Sequence, residues 1–83
     1  MKYIIFEDFS GKPVPVIFPD RIEFEEMREQ VPYGPAISAG MVRLSAGEFV
    51  CSGEAKELGV TSRPGDAAVI AAHFTAGQGV APS

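Results

Sequence analysis

Residue types that commonly carry enzymatic chemistry are scarce in this chain. Its 83 residues include one cysteine, Cys51, and one histidine, His73. A nucleophilic cysteine needs a nearby base or cation to hold it as a thiolate, but these two residues lie far apart in sequence on different predicted elements. The sequence therefore favours a small buried core residue at Cys51. It favours a structural or exposed residue at His73, near the end of a predicted helix.

The same counts argue against disulfide and metal sites. One thiol cannot form an internal disulfide, which favours a reducing compartment. A structural zinc site needs four ligands, more than one cysteine and one histidine supply. No carboxylate lies three or four residues from His73. We expect no metal and no cofactor.

Carboxylates are concentrated between Asp20 and Val31, where five acids accompany two arginines. Catalytic carboxylates need a concave, partly desolvated setting that moves their pKa values apart, whereas these residues are predicted on the outer face of a helix. Repulsion between Glu25 and Glu29 at i, i+4 costs that helix roughly 0.2–0.5 kcal/mol. Glu25, Glu26 and Glu29 are therefore predicted to be solvated. A docking patch for a basic partner is their functional alternative.

An anion site is conceivable at 62–66 (Ser-Arg-Pro-Gly-Asp), where a second helix is predicted to begin. Helix N-termini attract anions, and Arg63 could assist. Helix capping explains the same residues. Ser62 can cap, Asp66 favours the helix dipole, and Gly65 leaves the usual Glu/Gln position of a capping box empty. Capping is the preferred interpretation, and the chain contains no glycine-rich phosphate loop.

The charge balance and the apolar runs limit the classes of partner. A net charge of −4 without a Lys/Arg cluster argues against nucleic acid. The apolar runs at 3–6 and around 67–74 are far shorter than the ~20 residues that span a bilayer. The N-terminus lacks the apolar core of a secretory signal. We expect a cytoplasmic protein with no membrane partner.

The first half of the chain predicts a β-hairpin followed by a helix. Residues 2–7 are typical of a strand, and a five-residue turn follows. Two prolines in the second strand, 13–18, favour a sheet edge. Apolar spacing then predicts an amphipathic helix over 20–31, with Asp20 and Glu23 spaced as a capping box. A start at Glu25 is the alternative, because Ile22 lies off the apolar stripe.

The second half repeats this order. Residues 36–44 predict a strand with a bulge or close approach at Gly40, a turn follows at 45–48, and 49–53 predict a fourth strand. Residues 54–59 fit either an extension of that strand or a turn. The second helix carries one apolar face: Ala67, Ile70, Ala71 and Phe74. Residues 75–83 predict a flexible tail, which leaves 1–74 as a single small domain.

The predicted order is therefore β-β-α-β-β-α, an α+β domain with an antiparallel sheet of about four strands and both helices on one face. The first strand is apolar at successive positions from Tyr3 to Phe6. This pattern indicates a central strand covered on both faces. A single helical layer covers only one face. We therefore expect self-association or a partner protein to supply the second cover.

Three stretches resemble small uncharacterised proteins encoded in bacterial phages and prophages. They are Val-Ile-Phe-Pro-Asp at 16–20 ahead of an acidic helix, Ser-Ala-Gly-Met-Val at 38–42, and Leu-Gly-Val-Thr-Ser-Arg-Pro-Gly-Asp at 58–66. The similarity covers most of residues 1–74. Such proteins tend to carry Glu where this chain has Gly65, which would complete the capping box. The resemblance implies a viral or mobile-element origin and carries over no catalytic residue.

These observations favour a non-enzymatic interaction or accessory protein that binds another protein or itself. The first alternative is a small enzyme or ligand-binding domain that uses Cys51, His73 or Arg63. It requires a concave pocket that collects at least two of them. The second alternative is an acidic, host-directed inhibitor that mimics nucleic acid, for which a net charge of −4 is modest.

Overall fold

The computed structural model of the chain describes residues 1–32 and 35–80, with the backbone alone at 75–80. The elements of this part of the chain are β1 (Lys2–Glu7), β2 (Pro13–Phe18), α1 (Phe24–Gln30), β3 (Ala36–Ser45), β4 (Glu48–Ser52), β5 (Glu54–Ala55), a 3-10 turn (Lys56–Leu58), β6 (Val60–Thr61) and α2 (Asp66–Val80). The α+β class and the order β-β-α-β-β-α are confirmed. A short β5–β6 pair is inserted before α2.

The main sheet has the strand order β2-β1-β3-β4, with every neighbouring pair antiparallel. The central position of β1 and the edge position of β2 are as predicted. Prolines 13 and 15 are tolerated in β2 because an edge strand needs backbone donors on one side only. The loop between β1 and β2 is held by the Asp8 carboxylate, which accepts hydrogen bonds from the backbone N–H groups of Ser10 and Lys12, each at 2.9 Å.

The two helices lie on opposite faces of this sheet. Two apolar clusters meet at β1, with Ile4, Phe6 and Phe24 of α1 in one, and Tyr3, Ile5 and Ile70 of α2 in the other. Since successive strand residues point to opposite faces, the clusters flank the sheet. The prediction that both helices share one face is therefore wrong.

The reason for this arrangement is the apolar character of both faces of β1. One helix per side leaves its four central residues at most 2% exposed. The chain thus covers both faces itself. A second copy or a partner is not needed for that purpose.

Helix α1 begins at Phe24, four residues later than the predicted start at Asp20. Its capping box is formed by Glu23 and Glu26, because the Glu26 carboxylate accepts the Glu23 backbone N–H at 3.0 Å. Ile22 packs against the core from the non-helical segment before the helix, which keeps the start late. The alternative start at Glu25 lies one residue from the observed one. Phe24 anchors the helix. Its ring packs edge to face against the ring of Phe18, with the ring centroids 5.8 Å apart.

Of the two roles predicted for Gly40, a bulge or a close approach, the structure shows the close approach. A Cβ at this position would collide with the backbone carbonyl of Ser52 in β4. The register shift of the sheet falls elsewhere, between Ile5 and Phe6 where β1 pairs with β3. The β3–β4 hairpin turns through Ala46 and Gly47, whose φ angles of 51° and 81° are both in the left-handed region.

The segment 54–59, which fitted either a strand or a turn, contains both. Glu54 and Ala55 pair with β6, and the 3-10 turn then ends at Gly59 with φ 72°. Helix α2 continues through 75–80, which the sequence placed in the tail. Glycine lowers helix propensity without preventing a helix, whereas proline prevents one, and the next proline is Pro82. Residues 81–83 of the predicted tail lie outside the described residues.

Candidate functional site

A buried carboxylate joins the start of α2 to the sheet. Asp66 is 4% exposed, and both Tyr3 and Ser38 are fully buried. Asp66 Oδ1 accepts a hydrogen bond from Ser38 Oγ at 2.9 Å. Its Oδ2 accepts one from the Tyr3 hydroxyl and one from the Arg63 backbone N–H, the latter at 2.9 Å. A buried polar group satisfied in this way is typical of a structural anchor.

The cap of α2 is registered one residue later than the sequence suggested. Asp66 N–H donates to the Arg63 carbonyl at 3.0 Å, and Arg63 N–H donates back to Asp66 Oδ2. Asp66 therefore fills the position that we expected Gly65 to leave empty. Ser62, the predicted cap, precedes this pair, and its backbone N–H donates to the Gly53 carbonyl. Because a carboxylate already occupies the helix start, the anion site considered at 62–66 loses its support.

Cys51 lies half-buried on β4, next to Tyr3 and Asp66. Burial raises the pKa of its thiol. The neighbouring Tyr3 hydroxyl lowers that pKa in part, and the charge of Asp66 raises it again. The thiolate fraction at neutral pH is therefore smaller than for a free cysteine, which is the opposite of what a nucleophile needs. Cys51 packs against the α2-side cluster but is half-buried, whereas the sequence predicts a buried core residue.

The structure does not bring Cys51 and His73 together. His73 is exposed on α2, seven residues beyond Asp66, which is ~10 Å along a helix. It lies beside Pro13 at the β2 edge of the sheet, whereas Cys51 lies on the β4 edge. Arg63 is exposed at the start of the helix. The enzyme alternative requires a pocket that contains at least two of these three residues. Of the two grooves beside α2, one contains only His73 and the other contains none of the three.

The acidic side chains of α1 face solvent. Glu25, Glu26 and Glu29 are all exposed, and the Glu26 carboxylate is engaged in its own helix cap. No group of three or more His, Cys, Asp or Glu side chains in the described part of the chain is placed to hold a metal ion. The role of these glutamates as a docking patch stays a prediction.

Residues 67–74 of α2, unlike the residues of α1, include no Asp, Glu, Lys or Arg. Residues 67–74 read Ala-Ala-Val-Ile-Ala-Ala-His-Phe. Ile70 is buried against the sheet, while Ala68, Ala72 and His73 are exposed. A surface helix normally carries charged and polar residues opposite its core face, and a helix that is apolar all round is usually buried. The outer side of α2 therefore has the composition of a covered surface.

Two open grooves flank this helix. The β2-side groove has a volume of about 430 Å³ and is lined by Pro13, Ala68, Val69, Ala72 and His73. The β4-side groove has a volume of about 290 Å³ and is lined by Gly47, Glu48, Phe49, Ala67, Ala68 and Ala71. Small alanine side chains leave both grooves open. We call the exposed side of α2 together with these two grooves the α2 surface.

Leu44 lies beside the α2 surface. It is 63% exposed and sits directly across from Phe49 in the β3–β4 hairpin, so both side chains point to the α2 side of the sheet. Phe49 in turn packs against Phe74 of α2, with ring centroids 6.4 Å apart. The apolar surface therefore continues from the helix onto the hairpin.

The apolar spacing predicts only the inner face of α2; it predicts neither the α2 surface nor the Asp66 anchor. The signal for the α2 surface was present, since 67–74 contain a single polar residue, His73. The Asp66 anchor had a weaker signal, an acidic residue three positions after Arg63. Its partners Tyr3 and Ser38 are distant in sequence, and no local pattern identifies them.

None of the helices within 1–32 and 35–80 combines the length and the apolarity needed to cross a membrane. The chain matches no family model, and the comparisons with curated proteins and with solved structures give no match either.

Proposed function

We propose that this chain is a non-enzymatic interaction module that binds a partner protein through the α2 surface. The observation that carries the proposal is the outer side of α2 over residues 67–74, which has no Asp, Glu, Lys or Arg and is exposed between two apolar grooves. Exposed contiguous apolar surface marks interaction sites in soluble proteins, and depletion of charge distinguishes the centre of such sites.

The chemistry of the α2 surface suits a protein partner. Alanine loses no side-chain conformational entropy when it is covered, so Ala68 and Ala72 can be buried at little cost. Their short side chains let a partner approach the helix closely, and the grooves accept its larger apolar residues. The partner therefore presents apolar side chains of its own, with His73 as a polar group at the rim.

The acidic face of α1 is the second candidate contact. Glu25 and Glu29 are exposed, and surface ion pairs contribute about 0–1 kcal/mol each. A basic partner would gain little from them unless apolar surface were buried as well. We therefore place the main contact on α2 and keep Glu25, Glu26 and Glu29 as a test of the alternative.

The two other functional alternatives have less support. The enzyme alternative needs an activated thiol and a nearby base, whereas the Cys51 pKa is raised and His73 lies at the other edge of the sheet. Mimicry of nucleic acid needs a dense negative surface, and α1 is a helix of seven residues. The resemblance to phage and prophage proteins makes a bacterial cytoplasmic protein the partner to look for.

The experiment is affinity capture from a bacterial lysate with four matched baits. They are the native chain, Ala72→Glu in the β2-side groove, Ala72→Ser as its uncharged control, and the triple variant Glu25→Lys/Glu26→Lys/Glu29→Lys. Circular dichroism first establishes that all four fold alike. We expect one stoichiometric protein to be retained by the native, Ala72→Ser and triple-lysine baits and lost from Ala72→Glu.

The other outcomes separate the alternatives. Loss from the triple-lysine bait alone would move the contact to α1. Equal retention by all four baits would remove the α2 surface from the proposal. If no bait retains a protein in stoichiometric amount, the interaction function itself is contradicted.

A further inference from the structure

The two edges of the main sheet differ in how they are protected. Edge strands expose unpaired backbone groups, and prolines, charges or bulges normally block them. On β2 this is done by Pro13 and Pro15. On β4 the sequence is Glu-Phe-Val-Cys-Ser, without proline and with a single charge at its first residue. The β4 edge is thus open to another strand.

The hydrogen bonds of β3 establish which groups on β4 point outward. Val42 N–H donates to the Met1 carbonyl at 2.8 Å, so the backbone of Val42 faces β1. Its partner Cys51 therefore belongs to a non-hydrogen-bonded pair of the antiparallel ladder. Residues whose backbone groups point toward β3 alternate along β4 with residues whose groups point away. Phe49 lies two residues from Cys51 and therefore also belongs to a non-hydrogen-bonded pair. The N–H and C=O groups of Phe49 and Cys51 consequently point away from β3.

These outward groups are unpaired within the described chain. No backbone hydrogen bond from residues 1–32 or 35–80 reaches the N–H or C=O of Phe49 or Cys51. The four groups form a short template for strand pairing, and their spacing of two residues fits an antiparallel neighbour.

We propose that β4 pairs with β4 of a second copy, antiparallel and with the twofold axis at Val50. This register places Phe49 opposite Cys51 of the second copy. The four outward backbone groups of one strand are then hydrogen-bonded to the four outward groups of the other. It also overlaps all five residues of β4. Shifting the register by two residues would bring in Gly47 or Gly53, whose φ angles of 81° and 83° end the strand.

The side chains are compatible with this pairing. On one face Val50 meets Val50, and Glu48 lies opposite Ser52, so like charges are not directly opposed. On the other face Phe49 lies opposite Cys51 of the second copy. The two sheets join into one of eight strands, which places both α2 helices on the same side, with their β4-side grooves facing across the junction. The β2-side groove stays open for the partner proposed above.

The first test is mass in solution by light scattering. The native chain should have twice its chain mass of 8.8 kDa. Val50→Lys and Val50→Glu, each alone, place like charges at the axis and should be monomeric, whereas an equal mixture of the two should again form dimers. Val14→Lys is the matched control, a half-buried valine on the other edge strand, β2, and should stay dimeric.

The second test fixes the register. In a Cys51→Ala background, Val50→Cys brings two thiols to a non-hydrogen-bonded pair with Cβ atoms roughly 4.5–5.5 Å apart, within reach of a disulfide after slight adjustment. Glu48→Cys in the same background places them four residues out of register, ~13 Å apart. We expect oxidation to link the Val50→Cys variant into covalent dimers and to leave the Glu48→Cys variant unlinked.

Two results would overturn the proposal. One is a native mass of 8.8 kDa at every concentration tested, or dimers that survive Val50→Lys. The other is cross-linking of the Glu48→Cys variant as readily as the Val50→Cys variant. Capture of a partner by the α2 surface is measured separately with Ala72→Glu, so failure of the dimer and failure of the interaction function are distinguishable.

Discussion

The hydroxyl of Tyr3, on the central strand, donates a hydrogen bond to the Asp66 carboxylate at the start of α2, 63 residues further along the chain. Both residues are buried, and the second oxygen of Asp66 accepts from Ser38. The same carboxylate caps its own helix through Arg63 N–H. Asp66 therefore couples the position of α2 to the centre of the sheet.

Removing either end of this contact should destabilise the fold. Tyr3→Phe deletes one donor to a buried carboxylate and should lower the free energy of unfolding by about 1.5–3 kcal/mol. Asp66→Ala leaves several buried donors without an acceptor and should cost more. In the double variant the effects should be less than additive, by roughly 0.5–3 kcal/mol. Urea denaturation measures all three. Strict additivity would show that the two residues are not energetically coupled.

The raised pKa of the Tyr3 hydroxyl should make the fold lose stability at alkaline pH. Burial, and secondarily the bond to Asp66, raise the pKa of Tyr3 far above its ordinary range. The folded state thus keeps the phenol protonated, while the unfolded chain ionises it near pH 10. A raised folded pKa gives stability that is complete below the unfolded pKa and decreases as pH rises above it. Between pH 9 and 11 the native chain should therefore lose stability more steeply than Tyr3→Phe.

The Cys51 thiol should react slowly. Since burial raises its pKa, the rate of thiol alkylation should rise with a midpoint above the ~8.5 of an ordinary cysteine. The urea-unfolded chain serves as the control and should react like a free thiol. Rapid alkylation of the native chain at pH 7 would contradict this environment and revive the enzyme alternative.

Gly40 and Gly65 form a matched pair of substitutions. Gly40→Ala forces a methyl group against the Ser52 carbonyl and should cost about 1–3 kcal/mol of unfolding free energy. At Gly65 a Cβ meets nothing within 4 Å, so Gly65→Ala should gain about 0.4–1 kcal/mol through the lower entropy of the unfolded chain. Thermal and urea unfolding should give opposite signs for the two variants.

A substitution at Ala46 in the β3–β4 turn should stabilise the hairpin. Ala46 adopts a φ of 51°, which costs a non-glycine residue about 1 kcal/mol or more. Asn-Gly is the preferred pair for a two-residue turn with both φ angles positive. Ala46→Asn should therefore stabilise the hairpin by about 0.5–1 kcal/mol, and Ala46→Val should destabilise it. A stable Ala46→Val variant would show that the turn has another conformation in solution.

The parts of this fold that were predictable depend on neighbouring residues. Two prolines identified β2 as an edge strand, and the unbroken apolar run from Tyr3 to Phe6 identified β1 as a central one. The glycine at position 40 within a strand pattern predicts either a bulge or a close approach, and the close approach is found. In each case the constraint acts on the residue itself or on its immediate neighbours.

The parts that were missed depend on contacts between distant segments. The apolar run of β1 requires cover on both faces, but it does not specify whether a helix of the same chain or a second molecule provides it. Likewise, Asp66 has the same local signature whether its carboxylate faces solvent or Tyr3. The helix caps were misplaced by one to three residues because several acidic residues compete for each position, and tertiary packing of Ile22 and Asp66 decides among them.

The burial of β1 on both faces also bears on how the chain folds. Its strand partners include β3, and its two covers are Phe24 and Ile70, all of which follow it in sequence. The strand thus remains an exposed apolar segment until nearly the whole domain has been made, and its native contacts close long loops. High contact order of this kind slows folding, and aggregation-prone apolar surface stays exposed until folding is complete. Chains of this protein should accordingly fold late and benefit from a chaperone that shields residues 3–6.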